Sequence, residues 1–145
     1  MCGINGFNFV DQLKIERMNE RTKHRGPDDG GFLITEKWSF GHNRLSLIDL
    51  SPLGHQPMIT PDEKFAIVFN GEIYNYQELK QELTAKGYQF KSKSDTEVLL
   101  YAFQEWGTEI FPRLNGIFAC AIINLETEQV WVARDHMGVK PLYYY

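Results

Sequence analysis

A thiol stands at the second position of this chain, Cys2, followed by Gly3, Ile4 and Asn5. Removal of Met1 would place the thiol and a free α-amine on one residue, and cysteine is small enough for that processing to be expected. An α-amine titrates at about 7.7–8.0. Near neutral pH it can take the proton of the nucleophile beside it, as N-terminal nucleophiles do. Position alone argues the other way, because residue 2 of most chains is a mobile end with no task. A thiol that attacks an amide needs donors for the oxyanion, and losing one costs about 100–1000-fold in rate. Asn70-Gly71, at the end of an apolar run, offers a side-chain amide and the backbone N–H of a residue that allows close approach. The competing reading of Asn-Gly is a type I′ hairpin turn. It is weakened because Asn75 stands where a helix should begin and no returning strand follows directly. An amino-acid substrate also presents two charged ends. Its carboxylate calls for arginine, which binds in a bidentate fork, and its ammonium calls for a carboxylate. Arg44, inside the strand-like run 42–48, and Asp95, at a helix start, are the candidates. On these residues alone, a structural ion pair for Arg44 and macrodipole complementarity for Asp95 stay open.

Elements must carry these groups to one place. Residues 2–9 alternate as a strand does, and residues 11–21 read as a short helix with Leu13, Ile15 and Met18 on its apolar side. Residues 23–31 form a turn-rich loop. Residues 32–34 and 38–48 read as strands, and 49–61 as a loop broken by Pro52, Gly54, Pro57 and Pro61. A compact strand over 65–69 runs into Asn70-Gly71. Asn75 with Glu78 predicts a capping box for a helix over 76–86, ended by Gly87, and Ser94 with Glu97 repeats the pattern for a helix over 95–106. Residues 116–125 and 129–133 form a hairpin around the turn 126–128. A last strand starts near Pro141 and stops at Tyr145 with no turn or polar tail, which predicts a domain cut before its final strands. Antiparallel sheets with helices on their outer faces, an α+β layered architecture, follow from this order.

Composition narrows the function classes. With 145 residues, 43% hydrophobic and 14% aromatic, the chain can build a real core as one domain. A net charge of −4 without a basic block gives nucleic-acid binding no electrostatic support. No apolar run approaches the roughly 20 residues of a membrane span, and no secretory signal opens the chain. Two cysteines are too few for a disulfide framework, so a cytoplasmic home is expected. Cys120, in an apolar run, reads as a buried small hydrophobe. His24, His42, His55 and His136 lack metal-ligand spacing and read as structural.

Six segments occur in one order: M-C-G-I at 1–4, H-R-G-P-D-D-G at 24–30, N-R-L-S-L-I-D at 43–49, F-N-G-E-I-Y-N at 69–75, S-D-T-E at 94–97 and A-R-D-H-M-G-V-K-P-L-Y at 133–143. Together they resemble the glutaminase domain of glutamine-hydrolysing asparagine synthetase, a class II glutamine amidotransferase, over essentially the whole chain. The resemblance implies an N-terminal-nucleophile hydrolase, a four-layer αββα sandwich of antiparallel sheets. It implies that Cys2 is the nucleophile, that Arg44 clamps the glutamine α-carboxylate, and that Asn70 and Gly71 form the oxyanion hole. Glu72 would line the pocket and Asp95 contact the α-ammonium. The loop 24–30 and Arg134-Asp135 are assigned structural support. The implied activity is hydrolysis of L-glutamine to glutamate and ammonia, which in a full enzyme feeds ATP-dependent asparagine synthesis. The family's domain continues for some tens of residues and a synthetase domain follows. The chain is therefore expected to be an amidotransferase domain over 1–145, incomplete at its C-terminal end. No cofactor or metal is expected in it, and ATP and Mg²⁺ belong to the absent synthetase domain. Expected partners are L-glutamine and that synthetase domain, not nucleic acid or a membrane. Asn5 stands where the family usually has a small residue, and is expected to alter packing beneath Cys2. Two alternatives stand: the same glutaminase chemistry serving another acceptor, or a non-catalytic partner-binding domain of the same fold.

Overall fold

The computed structural model describes residues 1–144. Two antiparallel sheets face each other. In the first, β1 (Gly3–Phe7), β2 (Asp29–Ile34) and β3 (Ser39–Arg44) run in the order β1-β3-β2. In the second, β4 (Met58–Ile59), β5 (Phe65–Ile73), β6 (Gly116–Asn124) and β7 (Val130–Arg134) lie in sequence order. Helix α1 (Gln12–Thr22) covers the first sheet, while α2 (Tyr76–Ala85) and α3 (Asp95–Trp106) cover the second. The layers run helix, sheet, sheet, helices.

The period of two in each strand sorts side chains between these layers. On β5, Phe65, Ile67, Phe69 and Ile73 pack against α2 and α3, in a core with Leu79, Leu83, Leu99, Leu100 and Phe103. The alternate residues Ala66 and Val68 point to the first sheet and meet Phe40, Ile123 and Ile4 there. On β3 the same rule sends Phe40 inward, and His42 reaches across to the carbonyl of Phe69. Asn43 turns outward to the Asn19 carbonyl and Thr22 hydroxyl of α1. Cys2, Ile4, Phe40, His42, Arg44, Ala66, Val68, Asn70 and Glu72 thus share the inner faces of the two sheets.

Several boundaries differ from the sequence reading. Strand β3 ends at Arg44, because the carbonyls of Asp49 and Ser51 bind the guanidinium and turn the chain into a loop. Strand β5 does not end at Asn70-Gly71. It continues to Ile73 because β6 pairs with it to the end, Asn70 opposite Ala119 and Gly71 opposite Phe118. Asn75 makes no side-chain cap on α2; its amide bridges instead to Arg113 O and Asn115 N–H at 3.0 and 2.9 Å. Gly87, at φ 99°, ends that helix as expected. Ser94 caps α3 through Thr96 N–H at 3.1 Å, but Glu97 receives the N–H groups of Lys91 and Ser92 rather than closing a box. The loop over 23–31 gives way to β2 already at Asp29. Residues 141–144 form no strand, and Tyr145, the end of the expected one, lies outside the described residues. Asn5 points away from Cys2, toward Asn19 Oδ1 and Thr22 Oγ1 of α1 at 3.0 and 2.9 Å, so it packs the opposite face of β1.

Candidate active site

One cavity of about 100 Å³ opens between the edges of the two sheets, and all six residues singled out from the sequence line it: Cys2, Arg44, Asn70, Gly71, Glu72 and Asp95. Cys2 enters from the start of β1, where the β1–β3 register places it beside Arg44. Its thiol donates to Leu45 O at 3.8 Å and receives Leu45 N–H at 3.4 Å. Its own carbonyl accepts Arg25 Nε–H at 3.1 Å, so the 24–30 loop anchors the backbone of Cys2. Burial pushes the thiol pKa up, opposed first by the Leu45 hydrogen bond and then by the chain's amino-terminal charge. Met1 forms part of the cavity wall, so its loss enlarges the space beside the thiol.

Arg44 is buried, and its guanidinium donates to Ser51 O at 2.8 Å and to Asp49 O. Two carbonyls fix the fork and leave Nε–H and one hydrogen on each terminal nitrogen. Asp49 stiffens this loop by accepting Ser51 N–H and Lys93 N–H, each at 2.8 Å. Hydrogen bonds from Ser51 and Lys93 hold its pKa down to about 2. The loop that orients the guanidinium therefore keeps its anchor charged at any pH of interest.

Strand geometry explains the opposite wall. Leu125 N–H donates to Lys64 O, so even-numbered residues of β5 bond to β6 and odd-numbered ones turn their N–H and C=O to the other edge. Strand β4 covers that edge only opposite Ala66 and Ile67. Farther along, Phe69 N–H donates to Gln56 Oε1 at 2.7 Å and Ile73 N–H to Asp95 Oδ2 at 2.9 Å. Between them Gly71 N–H faces the cavity, while the Asn70 side chain projects from the inner face toward the sheet that carries Cys2. The two form a pair of donors on one wall. Asp95, in the first turn of α3, is buried, and burial raises its pKa to about 6, with the charge of Glu72 adding to the rise. An ammonium bound there would restore its charge.

A family model for the glutamine amidotransferase domain matches residues 1–145. The chain belongs to that family. Asparagine synthetase [glutamine-hydrolyzing] 1 of Bacillus subtilis (strain 168) is 47% identical over 152 residues, which cover 99% of this chain and 24% of that protein. Asparagine synthetase B [glutamine-hydrolyzing] of Escherichia coli (strain K12) is 36% identical over 149 residues, 99% of this chain and 26% of that protein. The amidotransferase domain thus spans about a quarter of the length of the curated relatives it matches. Among solved structures, glutamine phosphoribosylpyrophosphate amidotransferase from B. subtilis superposes with a TM-score of 0.68 over 92% of this chain and 36% of that one, at 22% identity. The shared fold is the N-terminal-nucleophile hydrolase sandwich, as the resemblance implied.

The amidotransferase domain also places residues at the cavity that sequence reasoning passed over. Gln56, Asp49, Ser94 and Lys140 line it, and Leu45 and Arg25 hold Cys2. Arg25 lay in the loop assigned to support, and Leu45, Asp49, Ser94 and Lys140 fell within the quoted segments without a place at the site; Gln56 alone lay outside all of them. Asp135 works as support, accepting the N–H groups of Phe118, Val139 and Lys140. Among the described residues, no three His, Cys, Asp or Glu side chains cluster as a metal-ligand set, and no helix is long and apolar enough to cross a membrane.

Proposed function

We propose that this domain hydrolyses L-glutamine to glutamate and ammonia, with Cys2 as nucleophile once Met1 is removed. The observation that carries the reading is the convergence of a thiol, a guanidinium, a carboxylate and two oxyanion donors on one cavity. Arg44 takes the substrate α-carboxylate and Asp95 its α-ammonium, with Glu72 beside it, so that the side-chain amide extends toward Cys2. The thiol gives its proton to the α-amine of Cys2, through a water molecule. The thiolate sulfur bonds to the amide carbon and the C=O pair moves to oxygen, where Asn70 Nδ2–H and Gly71 N–H receive it. Collapse breaks the C–N bond, the α-ammonium returns its proton to the leaving nitrogen, and ammonia departs. Water, deprotonated by the same amine, opens the γ-glutamyl thioester and releases glutamate.

In the full-length protein the ammonia would pass to a synthetase domain for ATP-dependent asparagine synthesis. Support comes from the glutamine-hydrolysing asparagine synthetases at 36–47% identity. ATP and Mg²⁺ belong to that acceptor chemistry, and the glutaminase steps use only groups of this chain. On this reading residues 1–145 are an amidotransferase domain that continues beyond them, in a cytoplasmic protein whose two free thiols suit reducing conditions. The test is Cys2→Ala. Glutamate release should fall to background while glutamine still binds, measured by calorimetry, and the intact mass of the parent should lack Met1. A variant that turns over glutamine at the parent rate would remove Cys2 from the reaction. A parent that retains Met1 and hydrolyses nothing would favour a binding domain.

A further inference from the structure

Among the described residues, no strand pairs with β5 along the stretch of its edge that offers the oxyanion donors. Strand β4 pairs only opposite Ala66 and Ile67, three residues short of Asn70. An open strand edge is free to bend, and a donor wall that bends does not stay aimed at one oxygen. Side chains from two other parts of the fold hold the gap. His42, fully buried on β3, places Nε2 at 3.0 Å from Phe69 O. A carbonyl only accepts, so Nε2 carries the hydrogen and donates it. Gln56, also buried, accepts Phe69 N–H on Oε1 at 2.7 Å and donates from Nε2 to Thr96 Oγ1 at 3.3 Å. Both edge-facing groups of Phe69, the residue immediately before Asn70, are therefore held by side chains.

What these two side chains connect matters more than that they are bonded. His42 stands opposite Ile4 in the β1–β3 register, two residues along from Cys2, and two residues before Arg44. Its bond to Phe69 ties the sheet that carries the nucleophile to the strand that carries the donors. Gln56 ties the N–H of the same residue to α3 beside Asp95. We propose that His42 and Gln56 are positioning residues that replace a missing sheet neighbour at Phe69 and set the distance between Cys2 and the Asn70–Gly71 donor pair. One feature of His42 fits a role beyond filling space. Nδ1 is buried with no hydrogen-bond partner among the described residues, a cost that an apolar side chain of similar size would avoid. Of the two ring nitrogens the bonded one, Nε2, points at the donor strand.

The inference rests on the oxyanion-hole reading of Asn70 and Gly71, and the experiment separates the two. His42→Leu removes the donor, and His42→Gln restores an N–H at similar reach. Gln56→Met removes the second tether at nearly constant volume. Four quantities are measured in the full chain: glutaminase kcat, its KM, glutamine Kd in the Cys2→Ala background, and affinity for the γ-aldehyde analogue of glutamine. That analogue takes the Cys2 sulfur on its carbonyl carbon and presents the resulting oxygen to the donor pair, so it reports on the oxyanion site without turnover. The expected result for His42→Leu and for Gln56→Met is a fall in kcat of about 10–100-fold, matched by the loss of aldehyde affinity. Glutamine Kd should stay within about twofold, because the hydrogen bonds that orient Arg44 (Ser51 O and Asp49 O) and Asp95 (Ile73 N–H) involve neither His42 nor Gln56. His42→Gln should recover most of both losses. Equal loss of glutamine and aldehyde affinity would mean the pocket has simply collapsed and would overturn the proposal. So would unchanged kcat and aldehyde binding in the variants. If His42→Leu fails to fold, Gln56→Met and His42→Gln carry the same two expectations. An aldehyde that binds the parent no better than glutamine would sink the oxyanion reading itself.

Discussion

On the proposed reading, Asp95 trades stability for recognition within a single side chain. Its carboxyl is buried at the start of α3 and accepts the Ile73 N–H. Burial raises its pKa from 3.8 to about 6. A raised acid pKa means that the folded chain binds this proton more tightly than the unfolded chain does. Its stabilising contribution is therefore complete below about pH 4 and is lost as the pH rises through 6. A shift of that size corresponds to on the order of 3 kcal/mol at pH 7. Asp95→Asn keeps an oxygen for Ile73 N–H and removes the charge. Thermal melts should show the variant more stable than the parent at pH 7 and nearly equal to it at pH 4. An equal shift at both pH values would mean that charge burial is not the cause. The same charge is what an α-ammonium needs. Glutamine affinity should fall at least tenfold in Asp95→Asn, and in the parent it should weaken as the pH drops below 6. Arg44, by contrast, is oriented by the backbone carbonyls of Ser51 and Asp49. Both residues were legible in the sequence as the types an amino acid's two ends require. Asp49 and Gln56, which work through long-range hydrogen bonds, were not.

At the scale of the element, β5 decides whether the proposed donor pair of Asn70 and Gly71 can form at all. Because β5 continues to Ile73, its period of two sends Ala66, Val68, Asn70 and Glu72 to one face and Ile67, Phe69 and Ile73 to the other. The run 65–69 is apolar throughout and carries no alternation, so the facing of Asn70 was not readable from it. Nor was the length of the strand: Asn70-Gly71 carries a local turn signal, and pairing along the whole of β6 overrides it. A tertiary partner of this kind leaves no mark within the strand's own residues. The absence of the expected α2 capping box has the same origin, since Asn75 is drawn to Arg113 and Asn115 from another part of the chain. Continuation past Asn70 creates the requirement for glycine at 71. A Cβ there would run into Ile117 O and the Cα of Phe118 on β6, backbone atoms that cannot step aside. Gly71→Ala should therefore cost about 1–3 kcal/mol in urea denaturation and reduce glutaminase kcat, because the strand that yields is the one presenting the N–H. A variant with parent stability and parent kcat would show that β5 and β6 approach less closely than described.

Across the whole molecule, the site is a relation between two sheets, since Cys2 and Arg44 belong to one and Asn70 and Gly71 to the other. Two cores hold the layers together, and they bear on that relation differently. The inter-sheet core of Phe40, Ala66, Val68 and Ile123 sets how far apart the two walls stand. The larger core under α2 and α3, which contains Leu83 and Phe103, supports the second sheet from behind. Ile123 and Leu83 are both buried aliphatic residues, 2% and 0% exposed, so truncation of either to alanine should cost about 2–5 kcal/mol by the same cavity mechanism. Their effects on rate should part. Below the melting temperature of both variants, Leu83→Ala should keep glutaminase kcat within about twofold, because the second sheet keeps its shape when the helices behind it loosen. Ile123→Ala lets the sheets settle toward each other, and a shift of about 1 Å between nucleophile and donors is enough for a loss on the order of 100-fold. Stopped assays at a temperature where circular dichroism shows both variants folded would compare them directly. Equal kcat losses at equal destabilisation would mean that the spacing is governed by general stability. A loss confined to Ile123→Ala would locate the control of the site in the apolar layer between the sheets.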